Sequence, residues 1–322
     1  MLRFYSADDV HRALAFPRLV AALERAFARG ASVPLRHVHA LGESDLLLLM
    51  PAWRSRDAQG SASDTGALGI KLVTVFPGAA KHGAATVSAL YVLLDRDTGE
   101  PRALLDGDAL TLRRTAAASA LAARFMARRD SETLLVIGTG KLAPYLLRAH
   151  CAVRPALRHI VVWGRSTQRA ALLAERLRAE GLPVSAADDL ERAVRDADIV
   201  SCATTATQPI VQGRWLAPGT HLDLVGGFTR AMREADDDAV ARARIVVDTY
   251  AGALAEAGDL IVPLERGVIA RERVVAELAE LVRGERAGRS DDAQITLFKS
   301  VGTALEDLAA AELVTESAAG SR

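Results

Sequence analysis

Thr133-Leu134-Leu135-Val136-Ile137-Gly138-Thr139-Gly140-Lys141-Leu142-Ala143 is the stretch on which the fold turns: a short apolar run, a glycine turn, then a helical pattern over 141–153. A strand delivers the chain to a tight turn, and glycines there let backbone N–H groups approach a pyrophosphate at a helix N-terminus. Ala143 takes the third small position of the G-x-G-x-x-G/A pattern. Such a turn also occurs where nothing binds, so its surroundings decide. A second strand pattern, 159–164, follows about 20 residues on, where the residue that reads the adenine ribose is expected. It runs into Gly164-Arg165-Ser166-Thr167. No Asp or Glu stands there to accept from a free 2′-hydroxyl, whereas an arginine and two hydroxyls suit a 2′-phosphate dianion. Arg165, Ser166 and Thr167 therefore favour NADPH, with NADH possible; a solvated arginine at a helix start is the other reading of Arg165.

Outward from the turn, the chain has 322 residues, long for one core and comfortable for two domains. Lys plus Arg and Asp plus Glu each number 40, and no stretch interleaves basic and aromatic residues, which argues against nucleic-acid binding. Cys151 and Cys202 lie far apart without metal-ligand spacing, in keeping with a reducing cytoplasm. Asp8 and Asp9 stand where a signal peptide needs an apolar core, and no run reaches the roughly 18 apolar residues of a membrane span.

Ahead of the turn, Ser6 with Asp9 reads as a helix start, Pro17 restarts a helix and Gly30 ends it. Strand patterns follow at 36–41, 45–53, 68–76, 86–94 and 101–105 with no helices between them, which predicts a largely antiparallel sheet. The Ser-, Asp- and Gly-rich segment 54–66 reads as a loop. An alanine-rich helix over 111–127 leads into the glycine turn. Beyond it, strands at 198–204, 221–225 and 244–248 alternate with helices such as 168–180, the pattern of a doubly wound parallel sheet. The tail, 295–314, starts extended and becomes a helix after Gly302. It is expected to return to the first domain, giving boundaries of 1–114 completed by 295–322, and 115–294.

A hydride acceptor bearing a carboxylate needs cations held close to it. Lys71 interrupts the apolar strand Leu68-Gly-Ile-Lys-Leu-Val-Thr-Val, where an inward lysine is costly without an anionic partner; an outward alternate position is the competing reading. Arg113 and Arg114 open an otherwise apolar helix, and Arg36 follows Pro34-Leu35.

Lys71 in its G-x-K-L strand, Asp95-x-x-Thr98-Gly99, Leu105-Asp-Gly107, Leu110-Thr-Leu-Arg-Arg-Thr-Ala-Ala, Gly138-Thr-Gly140 and Ile295-Thr-Leu-Phe-Lys-Ser-Val-Gly302 together resemble the ornithine cyclodeaminase/mu-crystallin family. The resemblance implies an α/β fold in which a Rossmann domain is inserted into a mainly antiparallel α+β domain that serves dimerisation and substrate binding, and hence a homodimer. It implies that Lys71, Arg114 and Arg36 meet a substrate carboxylate, Lys71 and Arg114 being the catalytic pair. Thr86, Arg114, Gly138, Gly140, Lys141, Leu142, Thr204, Val225, Gly226 and Ser300 are the implied cofactor positions, and Val301 lies near the substrate.

Ornithine cyclodeaminases resemble Gly-Gly-Asp where this chain has Gly226-Gly227-Phe228. Phenylalanine cannot steer or deprotonate an ammonium, which disfavours cyclodeamination. Phe228 suits an apolar wall beside a preformed ring, or simple core packing. The wording around Val162-Trp-Gly-Arg165, Met232-Arg-Glu234 and Glu306-Asp-Leu308 is similar to the branch that reduces cyclic ketimines: Δ1-pyrroline-2-carboxylate to L-proline and Δ1-piperideine-2-carboxylate to L-pipecolate, with NADPH. Alternatives are an alanine or N-alkyl amino acid dehydrogenase, a cyclodeaminase, and a non-enzymatic binder of NADPH and a small carboxylate.

Overall fold

The computed structural model describes residues 2–54 and 66–319, which divide into two compact units. The first takes residues up to 115 and from 303 onward; the second takes 116–302. Almost all of the 54–66 segment read as a loop lies outside the described residues.

In the first unit β1 (Arg3–Tyr5), β2 (His37–Ala40), β3 (Leu46–Trp53), β4 (Ala67–Val75), β5 (Val87–Asp95) and β6 (Pro101–Asp106) form one sheet in the order β1-β6-β5-β4-β3-β2. Pairing is antiparallel from β2 to β6, and only the short β1 lies parallel to β6. Alternation sets the faces. Gly69 and Lys71 of β4 are buried with Met50, Ala52, Tyr91 and Leu93, while Leu68, Ile70 and Leu72 point the other way and stay half-buried. Helix α1 (Ala7–Ala13) starts on the expected capping box of Ser6 and Asp9. Helix α2 (Phe16–Arg29) carries Pro17 in its first turn and ends at Gly30, whose φ of 76° suits glycine. Helix α3 (Gly107–Met126) begins where the Asp106 carboxylate accepts the N–H of Ala109 at 2.8 Å. The C-terminal helix, Ala304–Ala319, packs on α2, β3 and β4.

The second unit is a doubly wound sheet. Strands β7 (Thr133–Ile137), β8 (His159–Trp163), β9 (Val184–Ala186), β10 (Ile199–Cys202), β11 (His221–Leu224), β12 (Arg244–Val247), β13 (Val274–Glu277) and β14 (Thr296–Lys299) lie in the order β13-β12-β14-β11-β10-β7-β8-β9, every pairing parallel. The order reverses between β7 and β10, and ligands of such sheets sit outside the strand ends at that switch point. Helix α4 (Ala143–Val153) follows β7, and α5 (Thr167–Ala179) follows β8 with Ser166 as its N-cap.

The tail departs from expectation. Residues 296–299, assigned from sequence to the first domain, form β14, which pairs with β11 and β12 inside the parallel sheet. All four are buried, as a central strand covered on both faces requires. At Gly302, with φ of 83°, the chain turns, and only the helix that follows belongs to the first unit.

Candidate functional site

In the second unit a cleft of about 900 Å³ opens at the switch point, lined by the ends of β7, β8 and β10. Gly138, at φ 124°, could carry no side chain: a Cβ would lie 2.6 Å from the Ala203 carbonyl oxygen. At Gly140 a Cβ would meet nothing within 4 Å, so the backbone there faces space that a ligand can enter. Arg165, Ser166 and Arg169 form the β8 side, and among the described residues no carboxylate lines the cleft. The Ser166 hydroxyl accepts the Arg169 N–H at 3.3 Å and keeps its own proton to donate. Glycine turn, helix N-terminus and guanidinium groups fit the pyrophosphate and ribose ends of a dinucleotide.

Of the positions expected to hold cofactor, the cleft brings together Gly138, Gly140, Arg165, Ser166 and Thr204. Lys141, Leu142, Thr167, Val225, Gly226 and Ser300 are outside its lining. Gly226 packs directly on the Thr204 backbone, and Val225 is buried. The Ser300 hydroxyl and the Val301 N–H donate to Asp248, at 3.1 and 2.8 Å. Burial pushes that carboxyl up against the pull of its hydrogen bonds. Thr86 is exposed just before β5, in the first unit. Phe228 is 42% exposed, which speaks against the core-packing reading, and it is outside the lining of the cleft. The sequence reading missed Thr139, Trp163, Gly164, Arg169, Ala203 and the run 205–210. Thr139, between the two glycines of the turn, and Arg169, one turn beyond Ser166 on the same helix, carried a signal.

The first unit holds the buried cations. Lys71 is 2% exposed, so the inward reading of β4 is the right one. Its Nζ lies 2.9 Å from Oδ1 and 2.7 Å from Oδ2 of Asp307, and 3.3 Å from the Thr111 hydroxyl. Arg114, on α3, donates from Nε to the same Oδ1 at 3.0 Å and from Nη1 to Glu306 at 2.6 Å. Burial, with Arg114 beside it, pulls the Lys71 ammonium down to about 8 against the opposing pull of Asp307. Burial works against ionisation of Asp307 too, yet Arg114 and Lys71 hold it below the usual carboxylate value. Arg36 is half-buried ahead of β2, and its charge is felt at Lys71. Arg113 turns elsewhere, toward His11, the Leu14 carbonyl and the Phe16 ring.

Residues 3–322 match the model of the ornithine cyclodeaminase/mu-crystallin family. The chain belongs to that family. Among its relatives, the Δ1-pyrroline-2-carboxylate reductase of Colwellia psychrerythraea is 36% identical over 99% of this chain and 100% of its own length. Family members of known structure share the whole fold. The Thermococcus litoralis Δ1-pyrroline-2-carboxylate reductase, in complex with NADH and L-proline, superposes with a TM-score of 0.91 at 36% identity, covering 100% of this chain and 98% of that one. An archaeal alanine dehydrogenase dimer with bound NAD gives 0.90 at 29% identity, covering 99% and 97%. Like those members, this one carries a Rossmann-type unit inserted in a mainly antiparallel unit.

Proposed function

We propose that the protein is an NAD(P)H-dependent reductase of cyclic ketimino acids, converting Δ1-pyrroline-2-carboxylate to L-proline and Δ1-piperideine-2-carboxylate to L-pipecolate. The observation that carries this reading is the buried pair Lys71 and Arg114 in a chain that matches, end to end, a reductase seen with NADH and L-proline. Phe228 in place of the cyclodeaminase aspartate supports reduction of a ring already formed over closure of one.

Gly138, Gly140, Arg165, Ser166 and Thr204 would hold the dinucleotide, whose reduced nicotinamide supplies hydride. Lys71 and Arg114 fix the substrate carboxylate, with Arg36 as a third cation. Fixing it restricts the imine to one orientation, and orientation is worth about 7–11 kcal/mol in favourable cases. The ring nitrogen must be protonated as its carbon is reduced; with an ammonium near 8, Lys71 is the proposed source, through one water. Arg165, Ser166 and Arg169 without an acidic neighbour favour NADPH over NADH.

The open face of the first-unit sheet supports a homodimer. Leu72 pairs with Leu49 and Leu90, and Ile70 with Pro51 and Val92, making a half-exposed apolar surface that a second copy would cover. Among the described residues no helix is long and apolar enough to cross a membrane, and a cytoplasmic location is proposed with the reaction.

The likeness to alanine dehydrogenase favours one second reading, amination of an open-chain keto acid on the same cations. The deciding experiment follows NADPH absorbance with Δ1-pyrroline-2-carboxylate, beside NADH and beside pyruvate plus ammonia. Rapid loss with the cyclic imine is expected. Loss only with pyruvate and ammonia would replace the proposal with the second reading, and no turnover on any imine would end it.

A further inference from the structure

Glu234 is fully buried in the second unit and takes no part in the chemistry above. Its Oε1 accepts the N–H of Thr204 at 2.7 Å and the Thr204 hydroxyl at 2.9 Å. Its Oε2 accepts the N–H groups of Gly226 and Gly227 at 2.8 and 3.3 Å. Thr204 follows β10 and lines the nucleotide cleft; Gly226 and Gly227 follow β11. One carboxylate thus ties together the ends of two adjacent strands. The fit is close: a Cβ on Gly226 would collide with the Thr204 backbone and with Glu234 itself. Glu234 is in turn held from behind. Asp259 accepts the Glu234 and Ala235 N–H groups at 2.7 and 3.2 Å, and Lys299, at the end of β14, pairs with Asp259 at 2.9 Å.

We propose that Glu234 is a positioning residue for the dinucleotide, its ionised carboxylate fastening the Thr204 and Gly226–Gly227 loops into the wall that receives the nicotinamide half. The assignment of that half follows from the cleft itself. The β8 side suits the adenine ribose and the β7 turn the pyrophosphate, which leaves the remainder to the β10 side, where Thr204 stands. The inference rests on the reading that this cleft takes NAD(P)H. Four donors converge on two oxygens, and only an ionised carboxylate offers acceptors to all of them. A glutamine would aim an N–H2 at one loop or the other, and a protonated Glu234 would aim its O–H there.

Burial pushes the Glu234 carboxyl up to about 7, Asp259 adding to this while Lys299 and the Thr204 hydrogen bonds oppose it. The groups that face it are Lys299 of β14, Asp259 of the helix Gly258–Glu265 and Cys202 of β10. Although burial works against its charge, Lys299 is held above the ordinary lysine value by Asp259 and Glu234. Burial raises the Cys202 thiol well above its ordinary value. Neither changes charge near neutrality, so Glu234 is the group expected to report there.

The test is a fluorescence titration of the whole protein with NADH, chosen because the 2′-phosphate of NADPH itself titrates near 6. For the unaltered protein the dissociation constant should rise about tenfold as pH falls from about 8 to about 6. Glu234→Gln should bind about tenfold more weakly at the higher pH and show no pH dependence, with Glu234→Asp restoring part of both. A merely structural role would weaken binding at every pH and leave the dependence in place. A flat profile in the unaltered protein, or Glu234→Gln within twofold of it at about pH 8, overturns the proposal. If the variant fails to fold, the profile of the unaltered protein decides alone. No NADH binding at any pH would overturn the dinucleotide reading and this inference with it, whereas tight, pH-independent binding would overturn this inference only.

Discussion

Replacing Asp307 by Asn removes a negative charge 2.7–2.9 Å from the Lys71 ammonium while keeping the shape and an acceptor oxygen. An opposite charge this close is worth about 1–3 pH units of a neighbour's ionisation. Taking about two, Lys71 moves from about 8 to about 6. At pH 8 the protonated fraction then falls from about a half to about a hundredth, and at pH 6 from near unity to about a half. If protonated Lys71 serves the reaction, kcat/KM for Δ1-pyrroline-2-carboxylate should drop about fiftyfold at the higher pH and about twofold at the lower. The alkaline limb of the profile moves to lower pH, a shift the imine's own ionisation cannot produce because the substrate is the same. Stability has its own signature. Lys71 is depressed, so it penalises the fold below about 8, and that penalty fades as pH rises toward its unfolded value near 10.5. Asp307 is held low, so it stabilises the fold above its unfolded value and that contribution is lost in acid. Asp307→Asn removes the second effect while Glu306 stays as an anion on Arg114, at a cost of about 3–5 kcal/mol for breaking a buried pair. Melting curves would precede the kinetics, run at about 20 °C. A limb that stays in place, with the same loss at every pH, would refute the assignment of protonated Lys71.

Arg165→Ala should raise the KM for NADPH about tenfold or more, the value of one charge-assisted hydrogen bond, and change that for NADH by less than about threefold. Parallel titrations with the two nucleotides check it, and equal effects would place the guanidinium away from the 2′-phosphate. Gly226→Ala forces a methyl group into the Thr204 backbone, so the variant should fold but lose measurable NADH fluorescence enhancement; normal enhancement would show that the loop gives way. Leu72→Glu puts a charge in the half-exposed apolar face of the first-unit sheet and should turn a dimer into a monomer in light scattering. An unchanged mass would move the interface off that face.

Much of the fold was legible because its signals are local. Strand, glycine turn and helix over 133–153 follow one another in sequence, and the Ser6–Asp9 box and the Pro17 and Gly30 boundaries hold in the structure. Residues 296–299 were misplaced because a short apolar strand names no partner; only pairing with β11 and β12 assigns it. Lys71 could be singled out, since a lysine in an apolar strand needs an anion, but the anion is 236 residues away in sequence. Asp307 and Glu234 stood inside wording that carried the family resemblance, but neither bore a mark of its own role. Asp307 lies in an apolar helix pattern and Glu234 in a polar stretch, and the role of each lies in donors brought to it by other strands and helices.

The first-unit cluster pairs two cations, Lys71 and Arg114, with two anions, Glu306 and Asp307, so it satisfies its own charges before any ligand arrives. A carboxylate bound there adds a negative charge, and the ammonium that is half protonated near pH 8 should respond by taking up a proton. Uptake can approach about half a proton at that pH, and should shrink toward zero near pH 6, where Lys71 is already charged. Pyrrole-2-carboxylate is a suitable probe, being planar, carboxylated and without a basic nitrogen to confuse the count. Calorimetric binding enthalpies measured at pH 8 in buffers of different ionisation enthalpy give the number directly as a slope. The same slope should vanish at that pH in Lys71→Met if binding survives at all. Zero uptake in the unaltered protein at pH 8, with the probe bound, would mean that the carboxylate settles away from Lys71, and the cations of β4 and α3 would then be structural.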